Sequence, residues 1–313
     1  MVEECQVTLE AAELTTALFL IGFALGALPV APLSGKFGRQ PVYLVTYVAS
    51  SAFIIGTGGS CTWAQVLACR FFSGFFGAAV LAVAGGSVND IYDPVERGYA
   101  FPVYAGVSFM GPMAAPVTGS AISQFWSWRW NYYLCGIIGF AMLMFLSAFC
   151  PETLADVILF EKGERVWRGT QAQTVGGLVV RRPHRKSVSL NDFLHLVVLK
   201  ALKLLIFEPV IIYLTVLLGL VYFVFFGCLE ALPVIYRDIH GLELYQVGLC
   251  FLPVLAGTAL AILGSMPFAW YYAKEAKLGR SPPPESRLIP LIIGGMVLPV
   301  SLFSGLGRWT CFK

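Results

Sequence analysis

One arginine, Arg70, stands inside an otherwise apolar run from Val66 to Val88. A guanidinium at that depth of a bilayer costs about 3 kcal/mol on insertion scales, so such a residue normally faces a helix-bundle interior or a water-filled cavity and marks a pathway. Trp63 and Gln65 lie only two turns away, and snorkelling to the interface is the structural alternative. A second charge, Glu230, sits near the end of another apolar run, where an interfacial carboxylate needs no special role. The remaining charges fall in short loops. Lys36 and Arg39 occupy the polar break Ala31 to Pro41, and Asn89, Asp90, Asp93, Glu96 and Arg97 follow the Arg70 run directly. A solvated loop is the default reading of these charges, although Asp90, at a helix end, could pair with Lys36 or Arg39 across the same face. Tyr104, Tyr222, Phe223 and Phe226 are aromatics within apolar runs that could line a cavity for an apolar cation. Packing against lipid is the alternative for each.

A different chemistry is written in the small residues. Gly22 and Gly26, and Ser73 and Gly77, repeat at four, which puts them on one helix face and lets a neighbouring backbone come close. Gly106, Gly111, Pro112, Ala115, Pro116, Gly119 and Ser120 continue that pattern with two prolines one turn apart. Each proline removes a backbone hydrogen bond, so the expected element is a bent, closely packed helix able to act as a hinge or a seal.

The elements that must position these residues follow from composition. Of 313 residues 58% are hydrophobic and 12% charged, against about 25% charged in an ordinary soluble domain. The mean hydropathy is +0.76. Eight runs approach the roughly 20 residues needed to span a bilayer: 13–33, 41–60, 64–87, 99–121, 131–150, 209–235, 245–269 and 288–307. Their apolarity is continuous rather than alternating, which points to helices rather than a barrel. Most of the 21 Lys and Arg residues fall on one side if the Ser34 to Gln40 loop is cytoplasmic, including Arg97, the Arg181 to Lys186 cluster, Lys274, Lys277, Arg280 and Arg287. The positive-inside rule then fixes the orientation and puts residues 1–12 outside. The acidic start, Met1-Val2-Glu3-Glu4, has no signal-peptide character, and the first run is expected to be retained.

Residues 151–207 form a basic linker that divides the chain into a five-span bundle, 1–150, and a three-span segment, 208–313. Its later part, with Leu194, Leu196, Val197, Leu199, Leu202 and Leu205, has the pattern of an amphipathic surface helix, and the Arg181 to Lys186 cluster is expected in a solvated linker touching an anionic leaflet, with a specific anionic-lipid site as the alternative. A faint parallel repeat relates Leu20-x-Gly22-x-Ala24-Leu25 to Leu255-x-Gly257-x-Ala259-Leu260. Trp126, Trp128, Trp130, Tyr132 and Tyr133 have the character of an interfacial belt. The eight cysteines are scattered and fit as small apolar fillers. His184, His195 and His240 lack partners at ligand spacing, and no phosphate-binding glycine loop occurs, so no metal, cofactor or enzymatic activity is expected. A formal charge of +3 gives no reason to expect a nucleic-acid partner.

Taken together, these motifs resemble the drug:proton antiporter branch of the fungal major facilitator superfamily, the multidrug and polyamine exporters, from about residue 8 to residue 308. The Ala31 to Pro41 loop is similar to the signature Gly-x-Leu-x-Asp-Arg-x-Gly-Arg-Arg, with Leu33, Lys36, Gly38 and Arg39 in register. Leu67-x2-Arg70-x3-Gly74-x2-Gly77 resembles the span-four signature, and Gly111 to Ser120 the antiporter signature of span five. Trp128-Arg129-Trp130, Pro151-Glu152-Thr153-Leu154, Phe207-Glu208-Pro209 and Glu230-Ala231-x-Pro233 are lesser marks. Gly35, Ala31 and Ala115 depart from the signatures, Gly35 replacing a carboxylate. The resemblance implies an all-α integral membrane protein with the major facilitator fold and eight of its usual twelve helices, family spans two to nine. It implies a monomeric exporter of small molecules, exchanging them for protons by alternating access, in the plasma membrane rather than the vacuole. In that scheme Arg70 serves proton coupling, Pro112 and Pro116 shape the helix that blocks leak, and Lys36 and Arg39 brace the cytoplasmic side. The alternative is a membrane protein without transport, either a truncated form or a receptor-like binding protein, although eight spans do not suit a seven-span receptor.

Overall fold

In a bilayer no water is available to the backbone, so apolar runs of this length must satisfy their own N–H and C=O groups as helices. The computed structural model describes residues 8–170, 199, 203–278 and 292–297. Its helices are α1 (Leu9–Phe37), α2 (Arg39–Gly59), α3 (Trp63–Ile91), α4 (Arg97–Phe125), α5 (Arg129–Phe149), α6 (Ala155–Thr170), α7 (Pro209–Val234), α8 (Leu244–Leu249) and α9 (Leu252–Lys277). A single π-helical turn, Ile235–Ile239, extends α7.

Among the described residues six helices are long and apolar enough to cross a membrane: Ala11–Phe37, Arg39–Gly59, Trp63–Ile91, Arg129–Phe149, Pro209–Arg237 and Leu244–Glu275. They match six of the eight expected spans. The expected span 99–121 is present as α4, 29 residues long, but its glycines, prolines, serines and tyrosines leave it less apolar than the others. The expected span 288–307 lies mostly outside the described residues, with 292–297 helical. The Arg181 to Lys186 cluster, His184, His195, Cys5 and Cys311 also lie outside them. One span differs in detail. The run 245–269 is interrupted at Cys250 and Phe251, because Pro253 has no N–H to offer the carbonyl four residues earlier.

Contacts group the chain into two compact units, Met1–Ile91 with Ala115–Phe251, and Tyr92–Ala114 with Leu252–Lys313. In the first, α1 and α3 meet backbone to backbone. A Cβ at Gly22 would overlap the Phe71 carbonyl, one at Gly26 the Phe75 carbonyl, and one at Gly74 the Phe19 carbonyl. The small-residue spacing is therefore a packing device, as van der Waals contact between membrane helices requires. Helix α2 buries Thr46, Ser50, Ser51 and Thr57. Thr46 and Thr57 donate back to their own helix, to the carbonyls of Val42 (2.6 Å) and Phe53 (2.9 Å), and Ser50 donates across to the Ser73 carbonyl at 3.0 Å. Stacking of Phe53 with Phe72 and Phe76 closes the α2–α3 seam. On the other side α5 presents Gly136 and Gly139 to Ile55 and Ser51.

No residue of α7 is buried, so its apolar surface is available to lipid. In the second unit Gly106 makes room for the Ile262 side chain of α9. The two halves of the faint repeat have unlike surroundings: Gly22 touches α3, whereas a Cβ at Gly257 would meet nothing within 4 Å.

Candidate functional site

The polar chemistry of the first unit gathers in three places. The first is the junction of α1 and α2, where one residue, Gly38, separates two helices and takes φ 110°, a conformation only glycine adopts without strain. That sharp reversal directs Arg39 at α3. Its Nε donates to Asp90 Oδ2 at 3.0 Å and its Nη1 to the buried Ser34 Oγ at 2.6 Å. Gly86 lets the guanidinium lie flat on α3, since a Cβ there would stand 2.7 Å from its carbon. Of the two partners the sequence offered Asp90, Arg39 is the one joined. Lys36 lies 5.8 Å from the centroid of the Phe37 ring.

Glu152, on the turn between α5 and α6, completes this place. Its Oε1 accepts from the amides of Arg39 (2.8 Å), Thr153 (3.0 Å) and Leu154 (2.9 Å), and its Oε2 from Gln40 at 3.1 Å. A carboxylate thus satisfies the orphan amides that start α2, where the helix dipole also favours negative charge. Beside it a cavity of about 340 Å³ is walled by Tyr43, Val80, Ala84, Leu146 and Pro151.

The second place surrounds Arg70. The guanidinium donates from Nη2 to the Tyr132 hydroxyl at 2.8 Å and lies 4.7 Å from the centroid of that ring and 5.8 Å from that of Phe19. Its Nε is buried without a hydrogen-bond partner among the described residues. Arg70 therefore points between α1, α3 and α5, onto Phe19 and Tyr132. Among the aromatics at the start of α5, Tyr132 lies against Arg70. Tyr133 fills the space over Gly58, while Trp126 and Trp130 remain exposed.

The third place joins the end of α4 to the start of α8. Gln124 Nε2 donates to Glu243 Oε2 at 2.8 Å and its Oε1 accepts from the Tyr245 amide at 2.7 Å. Glu243 and Gln246 form a reciprocal capping box that starts α8. One turn further, Gly248 sits against Ser120 and the Pro116 carbonyl, with no room for a Cβ. Asn131 donates to the Gly119 carbonyl at 3.4 Å and to Ser123 Oγ at 2.6 Å, tying α5 to the same end of α4. Pro116, Gly119 and Ser120 thus lie at a helix contact, whereas a Cβ at Gly111, next to Pro112, would meet nothing within 4 Å.

The remaining expected site residues are dispersed. Tyr104 packs edge-on to Phe101, Tyr222 stacks with Phe226, and Glu230 is exposed. None of the four lines the cavity beside Glu152. Sequence reasoning noted Glu152 and Arg129 only as family marks and passed over Gln124 and Glu243. A capping-box spacing, Glu243 to Gln246, is the one signal that would have drawn attention to the start of α8.

Comparison with known proteins agrees with this architecture. Residues 1–311 match the family model described as Major Facilitator Superfamily. A transporter of uncharacterised function from Schizosaccharomyces pombe is 32% identical over 301 residues, which cover 96% of this chain and 54% of that protein. A major facilitator superfamily multidrug transporter from Aspergillus fumigatus is 31% identical, with coverage of 94% and 48%. An efflux pump from Gibberella moniliformis is 29% identical, with coverage of 97% and 50%. The chain spans about half the length of the curated relatives it matches. With nearly every residue matched by the family model and its helices packed through the small-residue faces described above, the chain belongs to the Major Facilitator Superfamily.

Proposed function

We propose that this chain moves small organic molecules across the membrane, exporting them in exchange for protons by alternating access, and that it works as a monomer in the plasma membrane. Two relatives named as a multidrug transporter and an efflux pump support export. In this reading residues 1–150 and 208–313 act as the two bundles and 151–207 as their cytoplasmic linker.

The observation that carries the reading is the α4–α8 junction. Alternating access needs a contact that closes one side and still yields to substrate, and swinging an equilibrium from 1:99 to 99:1 takes about 5.5 kcal/mol. Two side-chain hydrogen bonds of Gln124, one of them to a carboxylate, and the close seat of Gly248 on Ser120 form a contact of about 2–4 kcal/mol, weak enough for bound substrate to open.

Arg70 offers only N–H donors and no acceptor, and its part in coupling is electrostatic. Its role in this reading is to hold a fixed positive charge, braced by Tyr132 and Phe19, against which a proton and a substrate compete. Pro112 and Pro116 shape α4, and Lys36, Arg39 and Asp90 fix the cytoplasmic end of the first bundle.

Efflux of a fluorescent amphipathic dye from proteoliposomes under an imposed pH gradient tests the function. Gradient-dependent dye movement is the expected result, and movement indifferent to the gradient overturns proton coupling. Coupling unchanged in Arg70→Ala would remove Arg70 from it.

A further inference from the structure

The second unit holds a cavity of about 260 Å³ lined by Tyr99 of α4 and by Trp270, Ala273, Lys274 and Leu278 at the end of α9. Trp270, Lys274 and Leu278 recur at four and so share one face of α9, with Ala273 forming a buried floor beside them. The Lys274 ammonium lies 5.1 Å from the centroid of the Trp270 ring. That contact uses one side of the ammonium. Its charge meets no carboxylate among the described residues, and the Tyr99 hydroxyl makes no hydrogen bond among them.

An interfacial lysine and tryptophan are each satisfied by lipid headgroups and water when they stand alone. What differs here is convergence. Two donors from two helices, an ammonium and a phenol, open on one concavity whose other walls are an indole, a methyl and an isobutyl group. The balance of charges is one-sided, so the group that completes it is an anion, and the walls suit an apolar body attached to it. A cation is excluded by the ammonium itself.

We propose that this cavity is an anion site for amphipathic molecules, in which Lys274 and Tyr99 donate to a carboxylate or phosphate group while Trp270 and Leu278 pack against the apolar part. The site stands on its own geometry; its use as the place where cargo is first captured rests on the transporter reading above. The same chemistry is offered by a free amphipathic acid and by an anionic lipid, and the test separates them.

The chain reconstituted in phosphatidylcholine nanodiscs is titrated with 1-naphthoate and with the neutral 1-naphthalenemethanol. The expected result is that Lys274→Gln weakens naphthoate binding about tenfold, equivalent to about 1.4 kcal/mol, and leaves the alcohol within about twofold. Lys274→Arg retains binding and serves as the folding control, and Trp270→Leu weakens both probes. In nanodiscs containing phosphatidylglycerol, loss of naphthoate binding from the parent chain with less phosphatidylglycerol recruited by Lys274→Gln assigns the site to lipid. Naphthoate binding that persists in both kinds of disc assigns it to a free acid. Equal naphthoate affinity in the parent and Lys274→Gln, or no binding of naphthoate and no enrichment of phosphatidylglycerol, overturns the proposal. None of these readings involves a gradient, so a failure of transport leaves them standing and their failure leaves transport standing.

Discussion

Arg129 and Glu152 hold opposite ends of the same helix. Arg129 Nη1 donates to the carbonyls of Gly58 and Ser60, both at 3.1 Å, at the end of α2, and Glu152 accepts the amides of Arg39 and Gln40 at its beginning. The two residues flank α5, which packs antiparallel to α2, and each charge has the sign that the nearby helix end favours. Helix α2 is about 30 Å long, so the two contacts act separately.

Replacing either charge should therefore cost stability, and the two costs should add. Glu152→Ala removes a carboxylate that serves four amides, and a loss of about 2 kcal/mol is expected. Arg129→Ala removes a cation from two carbonyls and should cost about 1 kcal/mol. Thermal unfolding in detergent of both single variants and the double variant measures this, and additivity within about 0.5 kcal/mol is the expected outcome. Exchanging the charges, Arg129→Glu with Glu152→Arg, should not rescue, because each side chain answers a helix end and not the other side chain.

The spans and the Arg39–Asp90 pair were legible in the sequence because both depend on local information: continuous apolarity in one case, and two charges on loops at the same side in the other. Glu152 was visible only as part of a motif. Its function depends on a helix start 113 residues earlier in the chain, and no local pattern reports that. Tyr132 stands in the sequence among belt aromatics, since spacing alone does not say which of them reaches Arg70. Gln124 gave no signal at all. A glutamine near a span end is ordinary, and it becomes significant only when a second helix brings Glu243 and the Tyr245 amide to it.

Gly38 answers two constraints at once. Its φ of 110° strains any side-chain-bearing residue, and a Cβ would also overlap the Glu152 carboxylate. Gly38→Ala should cost about 3 kcal/mol or more, combining backbone strain with displacement of the cap. In a Glu152→Ala background the steric part is absent, so the same substitution should cost about 1–3 kcal/mol, the backbone part alone. A double-mutant cycle read by thermal unfolding gives the coupling, and a cycle that closes to zero would show that Gly38 is required by conformation only.

Tyr132 binds Arg70 through its hydroxyl and its ring, and two substitutions separate these contributions. Tyr132→Phe deletes the acceptor while keeping the π face, and should cost about 1.5 kcal/mol, as expected for a hydrogen bond to a charged group. Tyr132→Leu deletes both and should cost about 1 kcal/mol more, the part contributed by the cation–π contact. Thermal unfolding measures both. In proteoliposomes the same series should lower the response to a pH gradient in the same order, if the bracing of Arg70 is what sets its position.

The α4–α8 junction gives the most direct test of movement. The Cβ built at Gly248 stands 2.9 Å from the Ser120 Cβ and 2.8 Å from the Pro116 carbonyl, so a disulfide between these positions requires the two helices to part by about 1 Å. With Ser120→Cys and Gly248→Cys introduced together, and the neighbouring Cys250 replaced by serine, a mild oxidant should join α4 to α8. If the junction opens in transport as proposed, transport in proteoliposomes should then stop and return on reduction, since a covalent bond cannot open. Gln124→Ala should act in the opposite sense. It removes both hydrogen bonds but leaves the Gly248 seat, so the junction opens more often, and cross-linking at 120 and 248 should slow by several-fold. Transport that continues unchanged in the cross-linked protein would show that α4 and α8 move as one body and that the alternation takes place elsewhere.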